Sequence, residues 1–500
     1  MNIAMLLDMA ADACGERTAV VCGRESLTYA ELRRAARRLA VQLRADGVAH
    51  LALLDVNGPA VPVALFGAAY AGVPYVPLNY RLTGPEIEAL IERVLPARLV
   101  VGADFAGQVA AREGLSVIDS ADLLALPAGP AFEEPEVDPT EVAVQLFTSG
   151  TTGKPKAALL RHENLSSYIL GTVEFMAAAE EDAALVTVPP YHIAGISAVL
   201  SSTYACRRMV QLPNFTPQDW LRAAADECVS NAFVVPTMLS RIIEVLDNTP
   251  PELPSLRAVA YGGGKMPRAT IEAAMQLLPQ VDFTNAYGLT ETSSTIAILG
   301  PDDHRAAAAA ADEAGRRRLT SVGQPTPAVE VEIRDDDGQV LGAGQVGMIF
   351  VRGGQVAGEY KEQGSQLNDE GWFCTRDIGY LDEAGYLFLD GRADDVIVRG
   401  GENISPGEVE EVLLEHPAVT DAAVVAIPDE QWGEAVGAAV TLAPGQAVSE
   451  TELQNLVRER LRSSRVPQAI VFRDELPYND MGKLLRRVIR DELARLVEAA

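Results

Sequence analysis

A chain of 500 residues, with 48% hydrophobic and 22% charged residues, has the composition of an ordinary globular protein and is long enough for several domains. Its formal net charge of −29 argues against nucleic acid as a partner and favours a soluble, cytoplasmic protein. The five cysteines are scattered without CxxC spacing, which predicts neither a disulfide framework nor a zinc site and indicates a reducing compartment.

Helical and strand patterns alternate along most of the chain, which is typical of an α/β fold with mainly parallel sheets. Residues 323–353 are rich in β-branched residues and glycine and predict a more antiparallel, barrel-like section. A run of alanines at residues 306–311 predicts an exposed helix or loop without chemistry. The elements predicted before the first glycine-rich loop are a helix at residues 29–46 and strands at residues 50–55, 97–101, 115–118 and 142–147.

The segment of residues 56–80 carries no charge and is long enough to span a bilayer. Pro62, Pro74 and Pro77 interrupt it, so it predicts a buried helix followed by a buried strand and no integral membrane segment. The N-terminus carries acidic residues without a basic leader, so we expect no signal peptide.

A loop rich in glycine and hydroxyl groups, residues 147–156, follows the strand at residues 142–147. Its glycines allow the backbone to approach an anion, while hydroxyls, N–H groups and lysines can bind phosphate oxygens. The alternative is a flexible linker, and the Walker pattern is not matched. The residues predicted to contact phosphate are Thr148, Ser149, Gly150, Thr151, Thr152, Gly153, Lys154 and Lys156.

This loop closely resembles the YTSGTTGxPKG signature of the adenylate-forming, AMP-binding superfamily, which includes acyl-CoA synthetases; Ala157 replaces the usual final glycine. Other segments resemble the motifs of that family in the expected order: residues 261–267, 285–291, 375–377, 391–395, 400–404 and 477–484. The resemblance implies an α/β fold. A large N-terminal domain of mixed parallel sheets plus a β-barrel-like section would cover residues 1–391, and a small mobile α+β C-terminal domain residues 392–500.

The patterns after residue 392 fit a compact unit in which helices and strands are mixed. The predicted elements are helices at residues 408–416, 450–463 and 485–498 and strands at residues 420–427, 437–442 and 469–472.

The resemblance assigns roles in a nucleotide site. Glu291 would be the carboxylate beside Mg²⁺, with Thr148 assisting, and Asp377 would accept hydrogen bonds from both ribose hydroxyls. Arg392 would contact the ribose or phosphates, although Arg376 stands where the family usually has glycine beside Asp377. Adenine would lie against the glycine strip and be held by Asn285 and Tyr287. The residues assigned to nucleotide binding in these two motifs are Gly262, Gly263, Gly264, Asn285, Ala286, Tyr287, Gly288 and Thr290.

Two residues near the C-terminal end are assigned to the motion between half-reactions. Lys483 resembles the mobile lysine that reaches the α-phosphate and the attacking carboxylate, and Asp394 matches the hinge about which the small domain rotates. The ordinary alternatives are a solvated surface lysine and a turn aspartate.

The acyl pocket is predicted by position in the same motifs. His192 would act beside the acyl group or gate the thiol channel, or it is structural. Residues 190–195 contain no acid to pair an α-amine, and residues 190–197 no arginine to pair a second carboxylate, so we predict an apolar medium- or long-chain fatty acid or an aryl acid. Arg241 could oppose this by binding a distal acid. The pocket residues are His192, Ala194, Gly195, Met238, Ser294 and Thr295.

The resemblance implies an acyl-CoA synthetase that uses ATP, Mg²⁺ and coenzyme A and forms an acyl-adenylate before the thioester. The alternative is a stand-alone adenylation enzyme that acylates the phosphopantetheine of a carrier protein, which we expect to be a separate chain. A non-catalytic nucleotide-binding protein is disfavoured, because the matching catalytic residues are present. The motifs leave the oligomeric state open.

Overall fold

The computed structural model describes residues 1–127, 132–133, 138–148, 155–400, 402–429, 431–479 and 484–499. The chain divides into two compact units. The first comprises Met1–Glu330 and Val351–Phe373, and the second comprises Val331–Phe350 and Cys374–Ala500. The domain boundary after residue 391 stays a prediction.

Strands and helices alternate through the described part of the first unit, and the second unit also contains both. The first strands are β1 (Thr18–Cys22), β2 (Glu25–Thr28), β3 (His50–Leu54), β4 (Tyr75–Pro77), β5 (Ala97–Val101), β6 (Leu115–Asp119), β7 (Val142–Thr148), β8 (Lys156–Arg161), β9 (Ala183–Val186), β10 (Arg208–Gln211), β11 (Asn231–Val234), β12 (Ala258–Gly262), β13 (Asp282–Leu289), β14 (Ser294–Leu299) and β15 (Gln324–Pro325). The later strands are β16 (Glu330–Arg334), β17 (Gly347–Arg352), β18 (Glu359–Tyr360), β19 (Gly364–Ser365), β20 (Phe373–Leu381), β21 (Leu387–Arg392), β22 (Ile397–Arg399), β23 (Glu402–Ile404), β24 (Val419–Asp429), β25 (Gly433–Leu442) and β26 (Ala469–Arg473). The helices are α1 (Ala4–Cys14), α2 (Tyr29–Asp46), α3 (Ala60–Ala71), α4 (Gly84–Glu92), α5 (Ser120–Leu124), α6 (His162–Thr172), α7 (Ile193–Tyr204), α8 (Pro217–Asp226), α9 (Pro236–Leu246), α10 (Arg268–Leu277), α11 (Pro301–Ala309), α12 (Glu313–Arg317), α13 (Pro406–Leu414), α14 (Glu450–Arg460) and α15 (Arg486–Ala499).

Two large, mainly parallel sheets form the framework of the first unit. The strand order of one is β15-β14-β13-β12-β11-β9-β10-β1-β2, with parallel pairing from β13 to β1. The order of the other is β19-β18-β8-β7-β4-β3-β5-β6, with parallel pairing from β7 to β6. Antiparallel strands are added at the edges of both sheets. The predicted mixed α/β architecture is thus confirmed.

Helix α2 has the predicted bounds, and its capping residues and apolar face explain why. Thr28 and Glu31 form a capping box at its start, and Gly47, with a φ of 64°, ends it in the left-handed conformation. Apolar side chains at helical spacing are buried along one face, which contacts α3. Gly67 allows this close approach, because a Cβ there would lie 2.6 Å from Cδ2 of Leu39.

Helix α3 and strand β4 occupy the charge-free segment of residues 56–80. Every residue of α3 from Ala60 to Tyr70 is buried, as is every residue of β4. No helix in the described part of the chain is long and apolar enough to cross a membrane. The prediction of a buried helix followed by a buried strand is therefore correct.

The second unit contains two smaller sheets. One has the order β16-β17-β20-β21, and the other the order β23-β22-β25-β24 with β26 paired to β25. Alternate residues of β24 point to different cores: Val424 packs with residues of α13 and α14, and Val425 packs with residues of α15. The predicted α+β character of this part of the chain is thus present.

The boundaries differ from the predicted ones at strand ends and at two helices: α13 lies two residues before the predicted 408–416, and α14 ends three residues before residue 463. Strands β24 and β25 extend further than residues 420–427 and 437–442, because the two pair along almost their full lengths. Residues 323–353 contribute to three strands: β15 belongs to the large sheet, and β16 and β17 belong to the four-stranded sheet. The alanine run is not wholly exposed as predicted, because α11 turns Ala307 into the core.

Candidate active site

The ends of the glycine-rich loop are brought together by an antiparallel strand pair. Thr148 ends β7, Lys156 begins β8, and the two residues are direct partners across the strands. The Thr148 hydroxyl donates to the Lys156 carbonyl at 3.5 Å. Six residues with predicted phosphate contacts lie outside the described residues: Ser149, Gly150, Thr151, Thr152, Gly153 and Lys154.

Glu291 lies in a short 3-10 turn that directly follows β13. Its carboxylate accepts a short hydrogen bond from the hydroxyl of Tyr360. Tyr360 is on β18, where it pairs with Ala158 of β8, and the Lys156 Nζ lies 5.4 Å from the centroid of its ring. One aromatic side chain therefore connects the predicted metal-binding carboxylate to the strand that carries the predicted phosphate-binding lysine.

The backbone is strained immediately after Glu291. Ser293 has a φ of 55° and Ser294 a φ of 110°, values that residues with a side chain rarely adopt. Such conformations cost about 1–3 kcal/mol each and persist where surrounding contacts enforce them, which is common at functional sites. The Thr292 hydroxyl enforces part of this turn, because it donates to the Ser294 carbonyl at 2.7 Å.

The glycine strip begins at the end of β12. A Cβ at Gly262 would lie 2.2 Å from the carbonyl oxygen of Ala286 on the neighbouring strand β13, so packing of the two strands requires glycine there whether or not a nucleotide binds. Gly263 has a φ of 84°, and Gly263 and Gly264 are exposed. The strip therefore presents bare backbone beyond the strand end, as the predicted adenine contact requires.

Next to the glycine strip, buried polar groups form a chain of hydrogen bonds. The Nδ1 of His304 is 2.8 Å from the Gly300 carbonyl, which can only accept, so Nδ1 carries the proton and Nε2 accepts from the Tyr261 hydroxyl at 2.8 Å. Burial lowers the pKa of His304, which keeps the imidazole neutral in this arrangement. His304 was not among the predicted site residues, because its sequence neighbours in α11 are typical of a surface helix.

The next motif is on β13, which runs between β12 and β14. Asn285 and Tyr287 are buried on one face of the strand, and the Asn285 amide donates to the Ser321 carbonyl at 3.1 Å. A Cβ at Gly288 would lie 1.8 Å from the Ser294 carbonyl oxygen, so glycine is needed for the bulge between β13 and β14. Thr290 is half-buried at the start of the turn that carries Glu291.

In the second unit, Asp377 and Arg392 are direct partners across β20 and β21. The Arg392 Nε lies 3.5 Å from the carboxylate of Asp377, and the Asp377 amide donates to the Thr375 hydroxyl at 3.1 Å. Asp377 is only 8% exposed. The two residues predicted to bind ribose and phosphate therefore form one ion pair on neighbouring strands.

Arg376 occupies the position where the family usually has glycine, and its backbone has a φ of 62°. This positive φ gives a physical reason for the usual glycine. The guanidinium of Arg376 lies 3.3 Å from the carboxylate of Asp394, the predicted hinge residue. The departure from the family motif thus creates an ion pair with the residue predicted to be the hinge.

His192 lies just before the first turn of α7, and its ring is tilted against that of Tyr191, with 4.5 Å between the ring centroids. Burial, together with the positive charge of Arg81, lowers the pKa of His192 to about 3, so the imidazole is neutral at physiological pH. Its Nε2 is buried without a hydrogen-bond partner among the described residues. An unsatisfied buried nitrogen is costly unless a ligand or water supplies the partner.

The other predicted pocket residues lie on three elements of the first unit. Gly195 is required where α7 begins, because a Cβ there would lie 2.7 Å from the Pro189 carbonyl oxygen. Helix α7 contacts β14, which carries Ser294 and Thr295. Ala194 is half-buried on α7, and Met238 is buried in the first turn of α9.

Comparison with known proteins identifies the family. A model of the AMP-binding enzyme family matches residues 7–361, and a model of the AMP-binding enzyme C-terminal domain matches residues 408–483. The chain belongs to this family. The fatty acid–acyl-carrier-protein ligase ScoC of Streptomyces coeruleorubidus is 33% identical over 95% of this chain and 93% of its own. The indoleacetate–CoA ligase of Aromatoleum aromaticum is 32% identical over 99% of each chain.

A solved structure extends the similarity to the fold of this AMP-binding enzyme. The o-succinylbenzoate CoA synthetase MenE of Bacillus subtilis, in complex with the acyl-adenylate OSB-AMP, matches with a TM-score of 0.82 and 30% identity, over 97% of this chain and 98% of that one. The resemblance drawn from the motifs, the fold class and the assignment as an acid–thiol ligase are confirmed. The roles of individual residues remain predictions.

Proposed function

We propose that this AMP-binding enzyme activates an apolar carboxylic acid with ATP and transfers the acyl group to coenzyme A. In the first step a carboxylate oxygen attacks the α-phosphorus of ATP, and pyrophosphate leaves. In the second step a thiolate attacks the carbonyl carbon, and AMP leaves. The observation that carries the proposal is the connection of Glu291, through Tyr360, to the strand that bears Lys156 at the end of the phosphate loop.

Charge neutralisation is the main demand of the first step, since two anions must approach each other. Lys156, at the end of the loop, supplies positive charge beside the leaving pyrophosphate. Lys483, which lies outside the described residues, would neutralise the attacking carboxylate and the α-phosphate. Withdrawal of Lys483 with the small domain would then open the site for the thiol.

The oxygen ligands fit a magnesium ion that arrives with the nucleotide. Glu291 offers a carboxylate and Thr148 a hydroxyl, which are hard ligands, and no group of three or more His, Cys, Asp or Glu side chains in the described ranges could form an all-protein metal cage. Mg²⁺ in nucleotide sites is typically held by one or two carboxylates and the phosphates. When bound, it would neutralise phosphate charge.

Asp377 and Arg392 would hold the nucleotide at its sugar. The Asp377 carboxylate can accept hydrogen bonds from both ribose hydroxyls, and Arg392, whose Nε lies 3.5 Å from it, would contact the ribose or the phosphates. Adenine would lie against Gly263 and Gly264, whose backbone is exposed beyond β12.

The substrate is proposed to be a medium- or long-chain fatty acid or an aryl acid. Val234 and Val235 are fully buried before Met238, so this wall is apolar. The neutral imidazole of His192 offers no charge to a second carboxylate. Arg241 has an exposed side chain, and its guanidinium carbon lies 5.5 Å from the ring centroid of Phe215. These features favour an acyl group without a distal charge.

A carrier-protein phosphopantetheine is the second candidate acceptor. The similarity to ScoC, named as a fatty acid–acyl-carrier-protein ligase, favours it, whereas the similarity to an indoleacetate–CoA ligase favours free coenzyme A. Both acceptors present the same thiol, so the chemistry of the second step is unchanged.

The deciding experiment measures AMP release and thioester formation with ATP, Mg²⁺ and a series of acids. We expect kcat/KM to rise about four-fold for each added methylene, or about 0.8 kcal/mol, until the pocket is full. A dicarboxylate or an amino acid with the highest kcat/KM would contradict the proposed pocket. Parallel reactions with free coenzyme A and with a phosphopantetheinylated carrier protein identify the acceptor; thioester formed with the carrier alone would show that the second candidate is correct.

A further inference from the structure

Residues 354–362, which we call the strap, cross the first unit from helix α6 to strand β8. At one end the Asn164 amide donates to the Gly354 carbonyl at 3.1 Å. At the other end the Lys361 amide donates to the Ala157 carbonyl at 2.9 Å. Between these anchors the strap passes the strained turn that carries Glu291.

Gln355 holds the strained turn from both sides. Its amide nitrogen donates to the carbonyl of Thr292 at 3.1 Å and to the carbonyl of Thr295 at 2.8 Å. These two carbonyls flank Ser293 and Ser294, the pair with positive φ. Gln355 is 1% exposed, so its two hydrogen bonds are shielded from bulk solvent. A buried amide therefore enforces the conformation of the turn.

The strap also holds the backbone of Glu291 itself. The amides of Ala357 and Gly358 both donate to the Glu291 carbonyl at 2.9 Å. A Cβ at Gly358 would lie 2.8 Å from a side-chain atom of Leu367, so glycine allows this part of the strap to fit. Glu291 cannot move relative to the strap without loss of two hydrogen bonds.

Tyr360 adds a contact to the side chain. Its hydroxyl donates to the Glu291 carboxylate, so the backbone carbonyl and the carboxylate of Glu291 are both bound to the strap. A glutamate has several rotatable bonds, and a second point of attachment selects one orientation. The hydroxyl occupies one acceptor site of the carboxylate and leaves its other lone pairs free to bind.

The outer end of the strap reaches the flanks of the glycine-rich loop. The Glu362 carboxylate accepts from the amide of Ala157 at 3.2 Å and forms an ion pair with Arg93. Arg93 in turn donates to the Pro155 carbonyl at 2.8 Å and lies 4.6 Å from the ring centroid of Phe147. The residues on both sides of the loop are thus tied to the segment that holds Glu291.

We propose that the strap sets the position of the Glu291 carboxylate relative to the phosphate loop, and that Tyr360 and Gln355 are positioning residues for a cation–nucleotide complex. The inference rests on the proposed function, since it assumes that Glu291 meets the divalent cation that accompanies ATP. Tyr360 orients the carboxylate, and Gln355 holds the turn on which it lies. Loss of either side chain would displace the carboxylate oxygens of Glu291.

The first test is Tyr360→Phe in the full chain, with ATP binding measured by titration calorimetry with Mg²⁺ and with excess chelator. Residues that orient a metal ligand typically contribute 10–100-fold to metal affinity. We expect affinity for ATP with Mg²⁺ to fall about ten-fold, with metal-free binding within about two-fold of wild type. Tyr168→Phe, which removes a hydroxyl from α6 in the same unit, is the matched control and should change neither affinity.

Equal losses with and without Mg²⁺, or no loss, would overturn the role of Tyr360. If the wild-type chain bound no ATP at all, the proposed function would be wrong, and that result is distinct from a failure of the variant alone. Mn²⁺ titrated into the wild-type ATP complex and followed by electron paramagnetic resonance gives a second readout of cation affinity.

The second test asks whether the two residues act through one element. Gln355→Met keeps the length of the side chain and removes its two hydrogen bonds, and we expect the same cation-dependent loss. The double variant Gln355→Met with Tyr360→Phe should lose less than the product of the two single effects, because both act on one carboxylate. Fully multiplicative losses would show independent actions and overturn the strap as a unit. Circular dichroism of each variant identifies any that does not fold.

Discussion

The two carboxylates proposed to bind the nucleotide are oriented before any ligand arrives. The backbone carbonyl of Glu291 is bound by the strap and its carboxylate by Tyr360. The amide of Asp377 donates to Thr375, and its carboxylate pairs with Arg392. A side chain fixed in advance loses less entropy when it binds, so more of each interaction contributes to affinity. The same residues on mobile loops would bind more weakly.

Lys483 is the residue for which the two half-reactions should separate most clearly. In Lys483→Ala we expect pyrophosphate release to fall about 100-fold or more, equivalent to about 2.7 kcal/mol, because the attacking carboxylate and α-phosphate lose their neutralising charge. Thioester formation from supplied acyl-adenylate should change by less than about ten-fold, since that step no longer joins two anions. Pyrophosphate and AMP assays measure the two steps.

Lys483→Arg is the control for this prediction, because it keeps the charge and changes the shape of the head group. It should lie between wild type and Lys483→Ala in the first step. Losses of similar size in both half-reactions would contradict the assignment of Lys483 to adenylation.

At the scale of elements, the short turn after β21 contains the predicted hinge. Asp394 lies in the 3-10 turn Ala393–Asp395, and its carboxylate pairs with Arg376 from β20. The neighbouring Asp395 pairs instead with Arg486 of α15, at 3.4 Å. Two consecutive aspartates thus connect this turn to different elements of the second unit.

Proline at the hinge should lock one conformation. Proline fixes φ near the value typical of a 3-10 turn, so Asp394→Pro should restrict rotation of the backbone at this position. We expect acyl-adenylate to accumulate and thioester production to fall, which quenched reactions analysed by mass spectrometry would measure. Unchanged overall turnover would place the hinge elsewhere.

Asp394→Pro removes the ion pair with Arg376 and also restricts rotation at residue 394. Arg376→Gly removes the ion pair alone and so separates the two effects. Glycine relieves the positive φ, worth about 1–2 kcal/mol, while an exposed ion pair contributes about 0–1 kcal/mol. We therefore expect the free energy of unfolding to stay within about 1 kcal/mol of wild type or to rise, and turnover to stay within about three-fold. If Arg376→Gly reproduced the accumulation of adenylate, the ion pair and not the rotation would explain the Asp394→Pro result.

At the scale of the whole molecule, a buried histidine links stability to pH. His162 begins α6, is 2% exposed, and accepts a hydrogen bond from the Ile3 amide at 3.3 Å through Nδ1. Burial, assisted by the N-terminal amine, lowers the pKa of His162 from its ordinary value of 6.5 to about 4. The unfolded chain then binds more protons than the folded one, so stability falls as the pH drops below about 6.5.

His162→Asn keeps an acceptor for the Ile3 amide and removes the titration. Between about pH 7 and pH 5, we expect the variant to lose about 2 kcal/mol less of its free energy of unfolding than wild type, because the depressed pKa no longer contributes. Urea unfolding at the two pH values, followed by tryptophan fluorescence, measures this. Equal losses in both proteins would show that His162 does not contribute to acid sensitivity.

Local sequence patterns were enough to predict the kind and approximate place of many elements and the family to which the chain belongs. Helix α2 and strand β5 have the predicted bounds, because the spacing of apolar residues and the capping residues depend only on neighbours in the chain. The motifs likewise gave the AMP-binding family, since they are contiguous stretches of 3–11 residues.

The tertiary structure alone decided which distant groups meet. Tyr360 and Glu291 are 69 positions apart, and the pairing of β18 with β8, together with the hydrogen bonds of Ala357 and Gly358 to Glu291, brings them together. No local pattern marks Gln355 as the residue that holds the strained turn, because its partners are backbone carbonyls, which every sequence offers. The positive φ of Arg376 likewise does not follow from the preference of arginine, which rarely adopts it. Local propensity therefore determines where elements form, and the order of strands in the sheets determines which side chains make the site.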